Sequence, residues 1–288
     1  MNNRKFVLTT ALVLALIATS CGVRLPVTEI KTGPTQTVDI QIPQPDEAST
    51  GVELNLMFVA GEIRLSPGAS ESLVSGTATF NAAEFEPKIE SIGSTYTVRQ
   101  GDLDIEGIPK FQDDLINKLE LQLANTPMSL NIQAGAYTGT FELGGLSLEK
   151  LSISEGGSKV TVAFSAPNQV EMSSFTYSSG GATMVLKGLA NANFEQMTFS
   201  SGAGDYTLSF DGELQRDASV NIDSGAGTVN IIVPPDVNAQ VTFEGGLTTV
   251  NADSGWKQSG TVYSLSSNGP TLTIMVKMGM GTLNLKTG

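Results

Sequence analysis

The sequence predicts an all-β fold, a parallel β-helix or β-solenoid with coils of about 22 residues; a β-sandwich of short hairpins is the alternative. Three observations carry this. From about Gly51 onward apolar and polar residues alternate with a period of two, with almost no helical periodicity. The alternation is broken by glycines. The breaks recur: Leu130-Asn131-Ile132-Gln133-Ala134-Gly135, Leu151-Ser152-Ile153-Ser154-Glu155-Gly156, Phe175-Thr176-Tyr177-Ser178-Ser179-Gly180, Met197-Thr198-Phe199-Ser200-Ser201-Gly202 and Val220-Asn221-Ile222-Asp223-Ser224-Gly225 close on glycines 21, 24, 22 and 23 residues apart.

The amino end reads as an address. Met1 to Lys5 is cationic, and Phe6 to Ala18 is a largely apolar run of 13 residues, short of the ~20 needed to span a bilayer as a helix and suited to a secretory leader. It ends in Ala18-Thr19-Ser20-Cys21, which resembles the lipobox of bacterial lipoproteins, with Ala18 where Leu or Val is usual. The expectation is a lipoprotein signal peptide over 1–20 and a lipid on Cys21, the one cysteine of the chain. A soluble secreted protein and an uncleaved anchor are the alternatives. Cleavage removes Arg4 and Lys5, taking the net charge from −13 to −15. The expected location is outside the cytoplasm, held to the bacterial membrane through that lipid.

Residues 21–51 carry Pro26, Pro34, Pro43 and Pro45 among polar residues and read as an extended tether, with Thr37 to Ile42 alternating like an edge strand. The solenoid domain is expected over 52–288, with irregular first coils over 52–127 and regular repeats over 128–288. In each repeat a strand meets a glycine corner, and a second strand such as Val160-Thr161-Val162 or Val229-Asn230-Ile231 follows. The corner glycines are Gly135, Gly156, Gly180, Gly202, Gly225 and Gly279, expected to turn sharply, often through positive φ. Ile132, Ile153, Tyr177, Phe199 and Ile222 are expected to point inward as a ladder. Copies after Gly225 are irregular, and Ala252 to Gly260, around Trp256, reads as a hairpin tip. Thr282 to Leu285 ends near the carboxyl terminus without a following cap, so end-to-end self-association is expected of an open coil.

Gly33-Pro34-Thr35-Gln36-Thr37, the run Val59 to Ala69 and Gly76-Thr77-Ala78-Thr79-Phe80 resemble the amino-terminal "toast rack" family of bacterial envelope proteins. Ser201-Gly202-Ala203-Gly204-Asp205 and Ser224-Gly225-Ala226-Gly227-Thr228 are similar to the related putative-adhesin and cell-wall-stress-regulator families. The resemblance implies a stacked β-solenoid at the cell envelope and no catalytic residues. Regulator members carry several membrane helices, which this chain lacks.

Composition excludes much chemistry. With no histidine there is no Ser-His-Asp triad and no imidazole ligand, and one cysteine permits neither an internal disulfide nor a thiolate zinc cluster. A net charge of −13 argues against nucleic acid. Gly202-Ala203-Gly204-Asp205 is near a calcium corner, but the equivalents of Asp205 are Thr138, Lys159, Thr183 and Thr228, so carboxylates do not stack. Asp102, Asp104 and Glu106 share one face of a strand, and Asp113 adjoins Asp114; solvated surface carboxylates are the bland reading. Met275, Met278 and Met280 offer thioethers for Cu(I) or filler for a closing coil. Trp256, Tyr137 and Tyr263 would stack on sugars if exposed, and the Ser/Thr-rich corners are expected to satisfy local backbone groups. No catalytic residue, metal or cofactor is expected. The functional expectation is a non-catalytic envelope lipoprotein displaying an adhesin-like solenoid to an envelope protein or glycan. The alternatives are a glycan-binding or glycan-active β-helix and an accessory sensor of envelope stress.

Overall fold

A computed structural model of the chain describes residues 27–46, 50–100, 108–110 and 114–288. The chain begins with short strands β1 (Val27–Glu29) and β2 (Gln36–Pro43), then the long β3 (Glu53–Ala69). Shorter strands follow: β4 (Ser72–Phe80), β5 (Pro87–Ile92), β6 (Thr95–Gln100), β7 (Ile108–Lys110) and β8 (Asn117–Ala124). Five long strands come next at regular intervals: β9 (Met128–Glu142), β10 (Leu148–Ala163), β11 (Met172–Lys187), β12 (Phe194–Ser209) and β13 (Ala218–Val233). The chain closes with β14 (Asn238–Ala252), the small hairpin β15 (Lys257–Ser259) and β16 (Val262–Leu265), and the long β17 (Thr271–Thr287).

The long strands pair parallel and in register, Lys150 with Ser174 and Ala163 with Lys187, for example. That register forces a bend. A strand of 16 residues would run about 53 Å if straight, while the return segment 164–171 reaches about 30 Å at most. Each long strand therefore folds back into two limbs, at its central glycine from β9 onward and at Val59 in β3, and the return segment closes the coil. These segments stack too: the Phe164 N–H donates to Lys187 O at 3.0 Å and that of Asn168 to Asn191 O at 2.8 Å. Inside the stack the buried Asn168 side chain accepts from Leu148 N–H and donates to Leu148 O, both at 2.8 Å, so backbone groups taken out of water keep partners. The result is the β-solenoid that the repeat predicts.

Four ladders of inward side chains form the core. The expected one holds throughout: Leu56, Ile132, Ile153, Tyr177, Phe199, Ile222 and Val276 occupy successive strands, all buried. Beside it run Leu130, Leu151, Phe175, Met197, Val220 and Ile274; beyond the corner run Val160, Met184, Tyr206, Val229 and Leu283, then Phe141, Val162, Leu186, Leu208, Ile231 and Leu285. Gly139 falls in the third ladder, and its space is filled by Tyr137 stacking on Phe141, ring centroids 6.1 Å apart.

The corner glycines sit where expected, but for a different reason. None of the six has a positive φ. What excludes a side chain is the neighbouring coil: a Cβ on Gly180 would lie 2.5 Å from Gly156 O, on Gly225 2.6 Å from Gly202 O, and on Gly279 2.5 Å from Gly225 O. Each corner thus packs backbone on backbone. A positive φ appears two residues later, at Gly227 and Gly281.

The strand order departs from chain order at one end. β17 lies between β13 and β14, pairing Ala218 with Leu272 on one side and Ala239 with Leu272 on the other. Thr282 to Leu285 is therefore interior, and the expectation that it ends the solenoid uncapped is corrected. The outermost coil is β14, whose first limb pairs antiparallel with β16, Ala239 with Leu265 to Thr242 with Val262. At the other end β3 is covered on both limbs. Its first limb receives β6 and then β5; its second receives β8, β4 and β2. β2 contains the edge strand expected over Thr37 to Ile42.

Candidate interaction surface

Because side chains alternate along a strand, the inward ladders impose outward ones. On the first limb Asn131, Ser152, Thr176, Thr198 and Asn221 form one column, and Gln133, Ser154, Ser178, Ser200 and Asp223 the next. Beside the corner the second column borders a shallow cavity of about 330 Å3, lined by Ser154, Ser178, Ser200 and Asp223 with Glu155 and Ser179 at its floor. A neighbouring depression of about 250 Å3 continues it past Thr198, Asn221 and Lys277. On the second limb Asn251 donates to Asn284 at 3.0 Å and Asn284 to Asn230 at 2.9 Å, a hydrogen-bonded asparagine ladder.

Beneath the corner lies a polar seam that alternation foreshadows at a single position. Ala134, Glu155, Ser179, Ser201, Ser224 and Met278 stand in one register column. The Tyr137 hydroxyl donates to Glu155 Oε2 at 2.6 Å and the Ser158 hydroxyl to Oε1 at 2.5 Å. Burial, then the nearby Glu155 carboxyl, pushes the Tyr137 phenol well above its usual value; burial and the neighbouring Tyr137 and Glu155 do the same to Tyr177. The hydroxyls of Tyr177, Ser179, Ser201, Tyr206 and Ser224 are buried without hydrogen-bond partners. The corner serines 179, 201 and 224 thus do not serve backbone groups as their composition suggests. The signal for this seam was Glu155 alone, which takes an inward position where later repeats place serine.

Other sequence candidates do not converge. Cys21, Asp102, Asp104, Glu106 and Asp113 lie outside the described residues. Asp114 accepts from the Thr32 hydroxyl at 3.1 Å. Thr138, Lys159, Thr183, Asp205 and Thr228 are indeed neighbours in register, one carboxylate among them. No group of three or more acidic or cysteine ligands comes together among the described residues. Met278 is buried in the seam column while Met275 and Met280 are exposed, so the three thioethers do not share a side. Trp256, Tyr137 and Tyr263 are all buried, which removes them as a sugar platform; Tyr137 fills the space at Gly139, while Trp256 and Tyr263 pack where the β15–β16 hairpin meets the last coil. No helix among the described residues is long and apolar enough to cross a membrane.

Residues 31–187, more than half of the chain, match the family model for the N-terminal domain of toast_rack. The chain belongs to the toast-rack family. No curated protein matches it. Among solved structures it is similar to a "putative cell adhesion protein" from Clostridium sporogenes, 17% identical, covering 88% of this chain and 100% of that one, with a TM-score of 0.48. A "putative lipid binding protein" from Parabacteroides distasonis is 11% identical, covering 90% and 99%, with a TM-score of 0.35. A "putative adhesin" from Bacteroides fragilis is 11% identical, covering 89% and 99%, with a TM-score of 0.32. The family match, with the register of the long strands, accounts for the stacked coils of this toast-rack chain.

Proposed function

We propose that the protein is a non-catalytic lipoprotein of the bacterial envelope, anchored outside the cytoplasm through Cys21, that displays its first-limb face to an envelope protein or matrix. One observation carries the reading: the outward columns from Asn131 to Asn221 and from Gln133 to Asp223 form a rigid, almost uncharged field of hydroxyl and amide groups, bordered by the serine-lined corner cavity. Such a field offers many weak polar contacts at fixed spacing, which suits an extended partner better than a reacting small molecule. The tether is consistent with this, since β2 (Gln36–Pro43) joins the sheet at the end remote from β14.

The test is location. Cells are fractionated and fed a palmitate analogue, and protease is added to intact cells, for wild type and Cys21→Ala. The reading expects label on Cys21, membrane recovery and cleavage by external protease. Unlabelled wild type in the soluble fraction defeats the anchor. Labelled protein that external protease cannot reach defeats the outward display.

A further inference from the structure

The sheet has four free edges among the described residues, and three of them are guarded. β2 carries Asp39 and ends at Pro43; β5 carries Pro87, Lys88 and Glu90; β15 is three residues long and begins with Lys257. Charge, proline and brevity are the devices by which sheet edges refuse further strands. The fourth edge is the second limb of β14. Its inner side is fully paired, Gly245 with Met278 through Ala252 with Leu285, while β16 covers the outer side only as far as Thr242. Gly245-Gly246-Leu247-Thr248-Thr249-Val250-Asn251-Ala252 contains no charge and no proline. In a chain of net charge −13 that is an uncharged stretch, and the carboxylates that bound it are each engaged within the chain, Glu244 3.7 Å from Lys277 Nζ and Asp253 accepting from the Thr287 N–H at 3.0 Å.

Two further features mark this limb as incomplete. Leu247 is 82% exposed and Met280, its register neighbour, 54%; they form an apolar pair at the rim of the edge, in a column that continues through the small residues Ala226, Ala203, Gly181, Gly157, Ala136 and Ala60. The asparagine ladder also runs out here: Asn251 donates inward to Asn284, but its Oδ1 takes no hydrogen bond among the described residues.

We propose that the outer edge of β14 from Gly246 to Ala252 pairs antiparallel with the same edge of a second copy, Thr249 opposite Thr249, closing a twofold dimer. Antiparallel self-pairing about an axis normal to the sheet keeps both cores on one face, sets uncharged residues opposite uncharged residues, and covers Leu247. The contact is isologous, so it closes at two chains and does not build a fibre.

The experiment is sedimentation equilibrium of the full chain in mild detergent, with Thr249→Lys and Thr249→Glu run singly and mixed. Wild type is expected at twice the chain mass. Each variant alone should dimerise at least ~10-fold more weakly, because like charges then face each other across the axis. An equimolar mixture should recover the dimer, a result that misfolding cannot produce. Wild type that stays monomeric up to about 100 μM, a dimer indifferent to both variants, open-ended oligomers, or a mixture that fails to recover would each overturn the proposal.

Discussion

The two ends of the solenoid solve the same problem differently. A coil made of one bent strand exposes two limbs, and the β3 end closes each separately: β6 and β5 on the first, β8, β4 and β2 on the second. At the β14 end a small hairpin closes the first limb only. Between them the coils are held by backbone-on-backbone corners that leave no room for adjustment. A bent strand thus needs as many caps as it has limbs, and an uncapped limb is a feature to be explained.

Substitutions graded by position sharpen that contrast. The largest effect is expected at the middle corners. Gly180→Ala places a Cβ 2.5 Å from the Gly156 carbonyl oxygen, with both backbones pinned by neighbours, and should cost about 3 kcal/mol or more in urea unfolding. At the open end the Gly246 Cβ would lie 2.9 Å from Gly279 O on a strand free to shift outward, so Gly246→Ala should cost roughly half as much. Equal costs would mean that the end coil is as rigid as the middle.

Core truncation should follow the same gradient. Phe199 is fully buried between Tyr177 and Tyr206, with ring centroids 5.7 and 5.2 Å away, and Phe199→Ala should cost about 3–5 kcal/mol. Phe243, in the same ladder but half-buried on β14, should cost clearly less by the same measurement.

The polar seam separates paired from unpaired hydroxyls. Tyr137→Phe removes a donor from the buried Glu155 and should cost about 1–3 kcal/mol, whereas Tyr177→Phe deletes an orphan hydroxyl and should be neutral or stabilising. Both phenols have folded pKa values raised above the ordinary 10.0. Their contribution is therefore complete below pH 10 and is lost as pH climbs beyond it toward the folded values. Alkaline titration followed by circular dichroism should show Tyr177→Phe tolerating higher pH than wild type. The smallest effect belongs to the exposed ion pairs at the β3 end. Glu62→Gln, which breaks the 2.6 Å pair with Arg64, should change stability by less than about 1 kcal/mol.

Much of this was legible because period two and glycine spacing are local facts. Ile132 to Ile222 had to face one way once the strand was recognised, and Gly135 to Gly225 had to mark corners. The cause of the glycines was not legible, since the clash at Gly180 is with a carbonyl in another coil. Nor was the place of β17, because Val276-Lys277-Met278 alternates identically whether its strand lies outside β14 or inside it. Burial of Trp256 and Tyr263 likewise depends on the hairpin docking over the first limb. The anchor at Cys21 rests on sequence alone.

The interior position of β17 has a consequence for synthesis. A solenoid whose coils stack in chain order can grow as the polypeptide emerges, each strand docking on the last. Here β14 emerges before β17 yet must end outside it, so the groove beside β13 has to stay open, or be vacated, until the later strand arrives. Partners such as Asn230 and Asn284 are 54 residues apart, against 23 for Thr207 and Asn230, and closing the longer loop costs only about 0.8 kcal/mol more. The greater hazard is kinetic: β14 settling early against β13, whose register it could imitate. A chain made amino end first would fold its first coils as it emerged and complete its last two together, with the final strand acting as the latch.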